Sequence, residues 1–362
     1  MGAGHLTLRG GDPGVSGADG HGRGVYIGTA PFRPAWWLPG PHAQSAWGRV
    51  SRAGRRRLPL RREALATPDG DELLIDRLDG PPGARILIVL HGLEGSSFSV
   101  YVQGLLRLAR ARGWRGAAMN FRSCARDPLR PRRSVPNRRP RLYHSGETSD
   151  FGFLVETLAA REAGVPLLAA GVSLGGNVLL KWLGENPRQT AVQGAAAIST
   201  PFDLAAGARK LERGIGRLYT ASLLASLREK ALDAARRFPE AAARIDVARA
   251  RRSRTFWEFD DAATAPLHGF AGADDYYARA SSAGYVAAIA TPTLCISALD
   301  DPFLPAEAVA RARHAASTAV RFEVTKRGGH VGFVEGVVPW SSRAWAEQTA
   351  MAWLEAVIRV PE

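Results

Sequence analysis

LLAAGVSLGGNVLLKWL, residues 167–183, changes character at Ser173. The six residues before the serine form an uninterrupted apolar run of the kind buried on both faces of a parallel sheet, and GGNVLLKWL after it reads as an apolar helix. Between them lies Gly171-Val172-Ser173-Leu174-Gly175, a G-x-S-x-G elbow. In such a turn the serine backbone is strained, and the positions two before and two after it must be small because a Cβ would meet neighbouring backbone. The hydroxyl is thereby presented at the carboxyl end of a sheet.

Outward from the elbow the chain repeats strand, turn and helix. Strands are expected near 73–78, 85–90, 117–121, 166–172, 195–199, 293–298 and 320–324, with helices near 101–112, 150–161, 176–185 and 342–358. This alternation predicts an α/β fold with a mostly parallel, doubly wound sheet and right-handed crossovers. About 90 residues between Pro201 and Thr291 are helical, arginine-rich and aromatic, and the sheet does not need them. They are read as an inserted helical cap at about 201–291. The expected organisation is a poorly ordered tail at 1–31, an aromatic wrapping arm at 32–60, and one domain with its cap over 61–362. The arm segment FRPAWWLPGPHAQSAW, residues 32–47, carries prolines that argue for an extended path over a regular helix.

Composition excludes several classes. The chain has 362 residues, 46% of them hydrophobic and 23% charged, which supplies a large core and rules out a disordered or collagen-like chain. Cys124 and Cys295 are the only cysteines, so neither a disulfide framework nor a paired zinc site is expected, and no metal or cofactor is called for. Free thiols and the lack of an apolar leader point to a cytoplasmic protein. The formal charge is +14, and of 48 basic residues only Lys181, Lys210, Lys230 and Lys326 are lysine. The arginines fall in separate groups without an aromatic-and-basic motif, so a nucleic-acid partner is not expected; weak contact with an anionic membrane surface is compatible with them.

A serine hydroxyl needs a base, and the base an orienting carboxylate. Behind an elbow of this type the chain order is serine, acid, histidine. His330 follows a strand in Gly328-Gly329-His330-Val331-Gly332, where two glycines permit close approach. Asp300 and Asp301 follow the strand TLCISAL. Asp301 is preferred as the acid because Pro302 and Pro305 lock the loop after it, with Asp300 expected to cap the loop through backbone hydrogen bonds. Expected oxyanion donors are the N–H groups of Leu174, at a helix N-terminus, and of Leu93, in the loop HGLEGSS after the strand RILIVL. Glu147 and Asp150 are read as helix-capping acids, and FWEFD (256–260) as cap packing.

WWLPGPHAQS, HGLEGSS, NFRSC, YHSGET, GVSLGGN, FWEFD, DDYYARASS, ALDDPF and GGHVGF occur in this order over residues 32 to about 336. By these motifs the sequence resembles the YheT-like branch of the α/β-hydrolase superfamily, related to the embryogenesis-associated proteins of plants and the smaller mammalian abhydrolases. The resemblance implies an α/β-hydrolase fold and a serine esterase or lipase-like enzyme with the triad Ser173, Asp301 and His330, acting on an ester or lipid. Some relatives are acyltransferases, which would use the same triad with an alcohol acceptor, and a basic binding protein with a relic site is the third possibility. The arginine-rich run from Pro128 to Pro140 departs from the branch's pattern.

Overall fold

The computed structural model describes residues 30–53 and 56–358. Nearly all of the expected N-terminal tail, residues 1–29, lies outside them. Eight strands, β1 (Arg61–Ala66), β2 (Glu72–Leu78), β3 (Ile86–Leu90), β4 (Arg115–Asn120), β5 (Leu167–Val172), β6 (Val192–Ile198), β7 (Thr293–Ala298) and β8 (Val320–Thr325), form one sheet in the order β1-β2-β4-β3-β5-β6-β7-β8. Six strands from β4 to β8 are parallel, and β2 and β1 add an antiparallel edge. The short strand β1, RREALA, escapes the sequence reading because its partly exposed edge position leaves no apolar alternation.

Helices α1 (Gly40–Ala53), α2 (Val100–Ala111), α3 (Ser149–Arg161) and α4 (Leu174–Glu185) precede the insertion. The insertion holds α5 (Leu204–Leu211), α6 (Gly216–Arg237), α7 (Pro239–Arg244), α8 (Val247–Arg252), α9 (Phe256–Phe259), α10 (Ala265–His268) and α11 (Ala273–Ala280); α12 (Ala306–Ala315) and α13 (Trp345–Val357) follow. On β3, Ile86, Ile88 and Leu90 pack towards α3 and α4, while Leu87 and Val89 pack towards α2 and α13. Every β3 residue is fully buried, which is why RILIVL is apolar without alternation.

The arm is not extended throughout: α1 begins at Gly40, between two of the prolines. Pro39 precedes the helix, and Pro41 occupies its first turn, where the missing N–H costs nothing. The cap aromatics pack among themselves. Phe256, Phe259, Tyr276 and Tyr277 fill the cap's own core. The Tyr276 hydroxyl accepts the Ser145 amide at 2.9 Å and the Tyr277 hydroxyl donates to buried Asp260 at 2.7 Å. The polar tips of both tyrosines are thereby satisfied, one within the cap and one across to the Ser145 loop.

Glu147 and Asp150 lie at the start of α3, where Glu147 accepts the Ser149 amide at 3.0 Å, and both also join an ion network. Arg122, with 1% of its side chain exposed, bridges Asp71, Asp150 and Asp69, and Arg141 pairs with Glu147 at 2.5 Å. Burial would raise the Glu147 carboxyl, but Arg141 and neighbouring hydrogen bonds hold it at about 2. Three histidines are buried in the opposite sense. Burial lowers His91 and His144 to about 4 and His268 to about 3.

These imidazoles fold neutral and become protonated on unfolding between pH 6.5 and about 4, so the unfolded state takes up protons there. Stability should therefore fall as pH drops through that window, by on the order of a few kcal/mol for the three together. It should fall further below the ordinary carboxylate range as Glu147 is protonated. Denaturant titrations across pH measure this, with His268→Phe expected to flatten the upper limb; a profile flat from pH 6.5 to 4 contradicts neutral buried imidazoles.

Candidate active site

Ser173 sits between β5 and α4 with φ 53° and ψ −120°, a conformation that L-residues avoid. A Cβ on Gly171 would lie 2.7 Å from the Gly176 Cα, and one on Gly175 would lie 2.6 Å from the His91 carbonyl. Both contacts are backbone, which cannot yield. The glycines therefore allow the elbow to press against the end of β3.

The Ser173 hydroxyl lies 3.0 Å from His330 Nε2, and His330 Nδ1 lies 2.8 Å from Asp301 Oδ2. The second Asp301 oxygen accepts the amides of Phe303 at 2.8 Å and Leu304 at 3.2 Å. Asp301 is 1% exposed, so its carboxylate is turned wholly inward. Asp300 takes the other direction and accepts the Gly329 amide at 2.9 Å. Adjacent residues of an extended turn point to opposite sides, and this one-residue register gives the two aspartates different jobs.

The His330 loop is held by three side chains, of which Ser45 and Ser199 escape the sequence reading. The Gly329 amide is taken by Asp300, the His330 amide by Ser45 Oγ at 2.8 Å, and the Val331 amide by Ser199 Oγ at 3.0 Å. Gln44 adds a pair of bonds to the backbone of Val334. Ser45 and Gln44 lie on α1, so the PHAQS part of the arm motif serves to position the histidine loop.

On the opposite side, the loop after β3 carries Leu93. The Gly92 amide goes to the Tyr101 hydroxyl, that of Glu94 to the Tyr143 hydroxyl and that of Gly95 to the Gly92 carbonyl. Among the described residues the amides of Leu93 and Leu174 donate to no acceptor, and Leu174 opens α4. His91 braces this loop: Nδ1–H meets the Gly92 carbonyl at 2.7 Å and Nε2 accepts the Phe121 amide at 3.1 Å, a pattern that requires the neutral ring.

The cap is fastened to both halves of the site. Lys210 on α5 donates to the carbonyls of Asp301 (2.7 Å) and Leu304 (2.8 Å). Lys230 on α6 pairs with Glu94 at 2.7 Å and reaches Cys124 Sγ at 3.1 Å, while Ser226 also bonds Glu94. Burial would raise the Glu94 carboxyl, but Lys230, Ser226 and Tyr143 bring it below its ordinary range. Burial pushes the Cys124 thiol up to about 11, so it stays protonated beside them. Helix α6 thus reaches both loops, with Tyr219 against Phe303, itself stacked on His330 at 4.3 Å, and Lys230 against the Leu93 loop.

A mostly parallel eight-stranded sheet with a serine elbow after β5, an acid after β7 and a histidine after β8 defines an α/β hydrolase. The model of the alpha/beta hydrolase fold family matches residues 85–337. YheT of Escherichia coli (strain K12), an esterase by name, is 35% identical over 332 residues, covering 91% of this chain and 94% of its own length. The phospholipase ABHD3 of Mus musculus is 30% identical over 77% of this chain and 67% of its own length, and the embryogenesis-associated protein EMB8 of Picea glauca 29% identical over 82% and 66%. The chain belongs to the α/β-hydrolase family, in the branch that contains YheT. Puromycin hydrolase superposes with a TM-score of 0.52 at 15% identity, over 83% of this chain and 40% of that one, a likeness of fold.

Lys230→Met would leave Glu94 buried without its cation, which should cost about 3 kcal/mol or more. Adding Glu94→Gln should restore most of that. A double-mutant cycle by urea denaturation measures the coupling, and purely additive losses would show that the pair does not bind cap to loop.

Proposed function

We propose that the protein is a serine hydrolase of carboxylic esters with short to medium acyl chains, and that Ser173, His330 and Asp301 are its catalytic residues. The observation that carries this reading is the continuous hydrogen-bonded path from the Ser173 hydroxyl through both His330 nitrogens to an inward-facing Asp301. The related chains named esterase and phospholipase favour the same chemistry.

Ser173 Oγ attacks the ester carbonyl while His330 Nε2 takes its proton. Asp301 keeps the other proton on Nδ1 and stabilises the imidazolium that forms. The developing oxyanion is received by the free amides of Leu93 and Leu174, fixed dipoles that need little reorganisation. His330 then protonates the leaving alcohol, and a water activated by the same nitrogen cleaves the acyl-enzyme, returning its proton to Ser173.

The acyl chain has its wall on α6. Tyr219, Leu223 and Leu227 lie along one helical face between the two fastened ends and are partly buried against the cap core. Leu223 stands one turn from Tyr219, on the histidine side, and two turns from Lys230, on the Leu93 loop, and on this reading it borders the path of the acyl group.

Ser173→Ala should lower kcat/KM for p-nitrophenyl esters by several orders of magnitude with unchanged circular dichroism, and a fluorophosphonate should label Ser173 alone. Full turnover in the alanine variant sinks the nucleophile. Asp301→Asn should reduce kcat far more than Asp300→Asn, because an amide at the orienting position favours the wrong tautomer; the reverse ranking would move the acid by one residue.

Wild type should prefer chains of about six to ten carbons over acetyl, since each buried methylene contributes roughly 0.8 kcal/mol when its contact persists in the transition state. Leu223→Trp should shift that optimum towards acetyl without abolishing acetyl turnover. An unchanged chain-length profile would take the acyl wall away from α6.

A further inference from the structure

The arginine-rich run after β4 has no part in the site above. It forms a fastened hairpin: Arg126 bridges to Ser134, the Asp127 amide meets the Arg133 carbonyl at 3.0 Å, and the Arg133 amide meets the Arg130 carbonyl at 2.8 Å. The only acid in the hairpin, Asp127, turns inward and accepts the amides of Leu129 (2.8 Å) and Arg130 (3.2 Å). Arg62 holds the base of the hairpin by donating to the Arg126 carbonyl at 2.6 Å.

Facing this hairpin is Arg57. Its guanidinium lies 4.2 Å from the centre of the Phe98 ring, and the next residue is anchored by the Leu58 amide to Gln103 at 2.8 Å. Between them is an open groove of about 550 Å³ lined by Arg57, Arg130, Pro131, Arg132 and Arg133. Among the described residues no carboxylate pairs with any of these four arginines, although the neighbouring Arg61, Arg62, Arg122, Arg138 and Arg141 all have acidic partners.

Four like charges converging on one groove repel one another, and a built hairpin with its acid turned away holds them there. The guanidinium fork matches phosphate oxygens in bidentate fashion and is weakly hydrated. We infer that the groove of Arg57, Arg130, Arg132 and Arg133 is a binding site for a phosphate-bearing anion of pyrophosphate size or larger, either a free polyphosphate compound or a lipid headgroup phosphate. The site is separate from the triad and does not rest on the hydrolase reading. The hairpin follows the carboxyl end of β4, and Phe98 beneath Arg57 follows that of β3, so the groove opens on the rim of the face that carries Ser173. A nucleic acid fits less well, because the one aromatic ring beside the groove, Phe98, is covered by Arg57.

All four side chains are exposed, so glutamine substitutions leave the core untouched. Tripolyphosphate titrated calorimetrically into the full chain should bind, and Arg57→Gln/Arg132→Gln/Arg133→Gln should weaken it about tenfold or more. The charge-matched control Arg251→Gln/Arg252→Gln/Arg254→Gln, on and after α8, should bind as wild type does. If tripolyphosphate fails but phosphatidylcholine vesicles bearing phosphatidate float wild type and control and not the groove variant, the phosphate is a headgroup's. Equal loss in both triple variants, retention in the groove variant, or no binding of either probe overturns the site. So does binding of a single-stranded oligonucleotide where neither phosphate probe binds.

Discussion

Everything at the site depends on one steric constraint: at Ser173 the backbone must turn through φ 53° while the elbow touches the end of β3. No side chain fits at Gly171 or Gly175, because the contacts there are to backbone, of the first turn of α4 for Gly171 and of Leu90 and His91 at the end of β3 for Gly175. Once the turn is made, the hydroxyl projects from the carboxyl end of β5, and the histidine loop must come to it. That loop makes its own close approach: a Cβ on Gly332 would lie 2.7 Å from the Gln44 carbonyl. The elbow and the histidine loop are therefore two close-packed backbone segments, with α1 wedged behind the second.

Lysine is the rare base in this chain, and two of its four lysines fasten the cap. Lys210 satisfies two carbonyls of the Asp301 loop, and Lys230 sits between Glu94 and Cys124 behind the Leu93 loop. A compact ammonium can enter such a hole and spread its three donors, whereas a planar guanidinium would need a wider one. The cap is thus attached to the Asp301 loop and to the Leu93 loop. Any cap movement has to pivot about these two points, so opening the site and disturbing its geometry are physically linked.

Arginine does the work of long-range pairing elsewhere, as at buried Arg122 with three aspartates. The contrast with the groove at Arg57 and Arg130–Arg133 is one of partners. Inside the domain each buried guanidinium is neutralised by acids from distant segments, while on the rim the only local acid is spent on backbone amides.

The parallel sheet, the elbow, His330 and the pair Asp300 and Asp301 were legible in the sequence because each rests on local chemistry: apolar runs without alternation, glycines flanking a serine, and Gly-Gly ahead of a histidine. The choice between the two aspartates followed from alternation in a proline-locked loop. What local chemistry does not reveal is which distant groups meet. Ser45, Ser199 and Gln44 are ordinary polar residues until the fold brings them to successive amides of the His330 loop, and Lys230 is one cation among 48 until α6 lays it on Glu94. The prolines of the arm argued against a helix, yet α1 begins just where they permit one. Nor does local chemistry show that tertiary packing turns the hydroxyls of Tyr276 and Tyr277 to the Ser145 amide and to Asp260. Hydrophobic period and turn chemistry act over a few residues and can be read from them; burial and ion pairing are decided by segments tens to hundreds of residues apart, and only the folded chain brings those together.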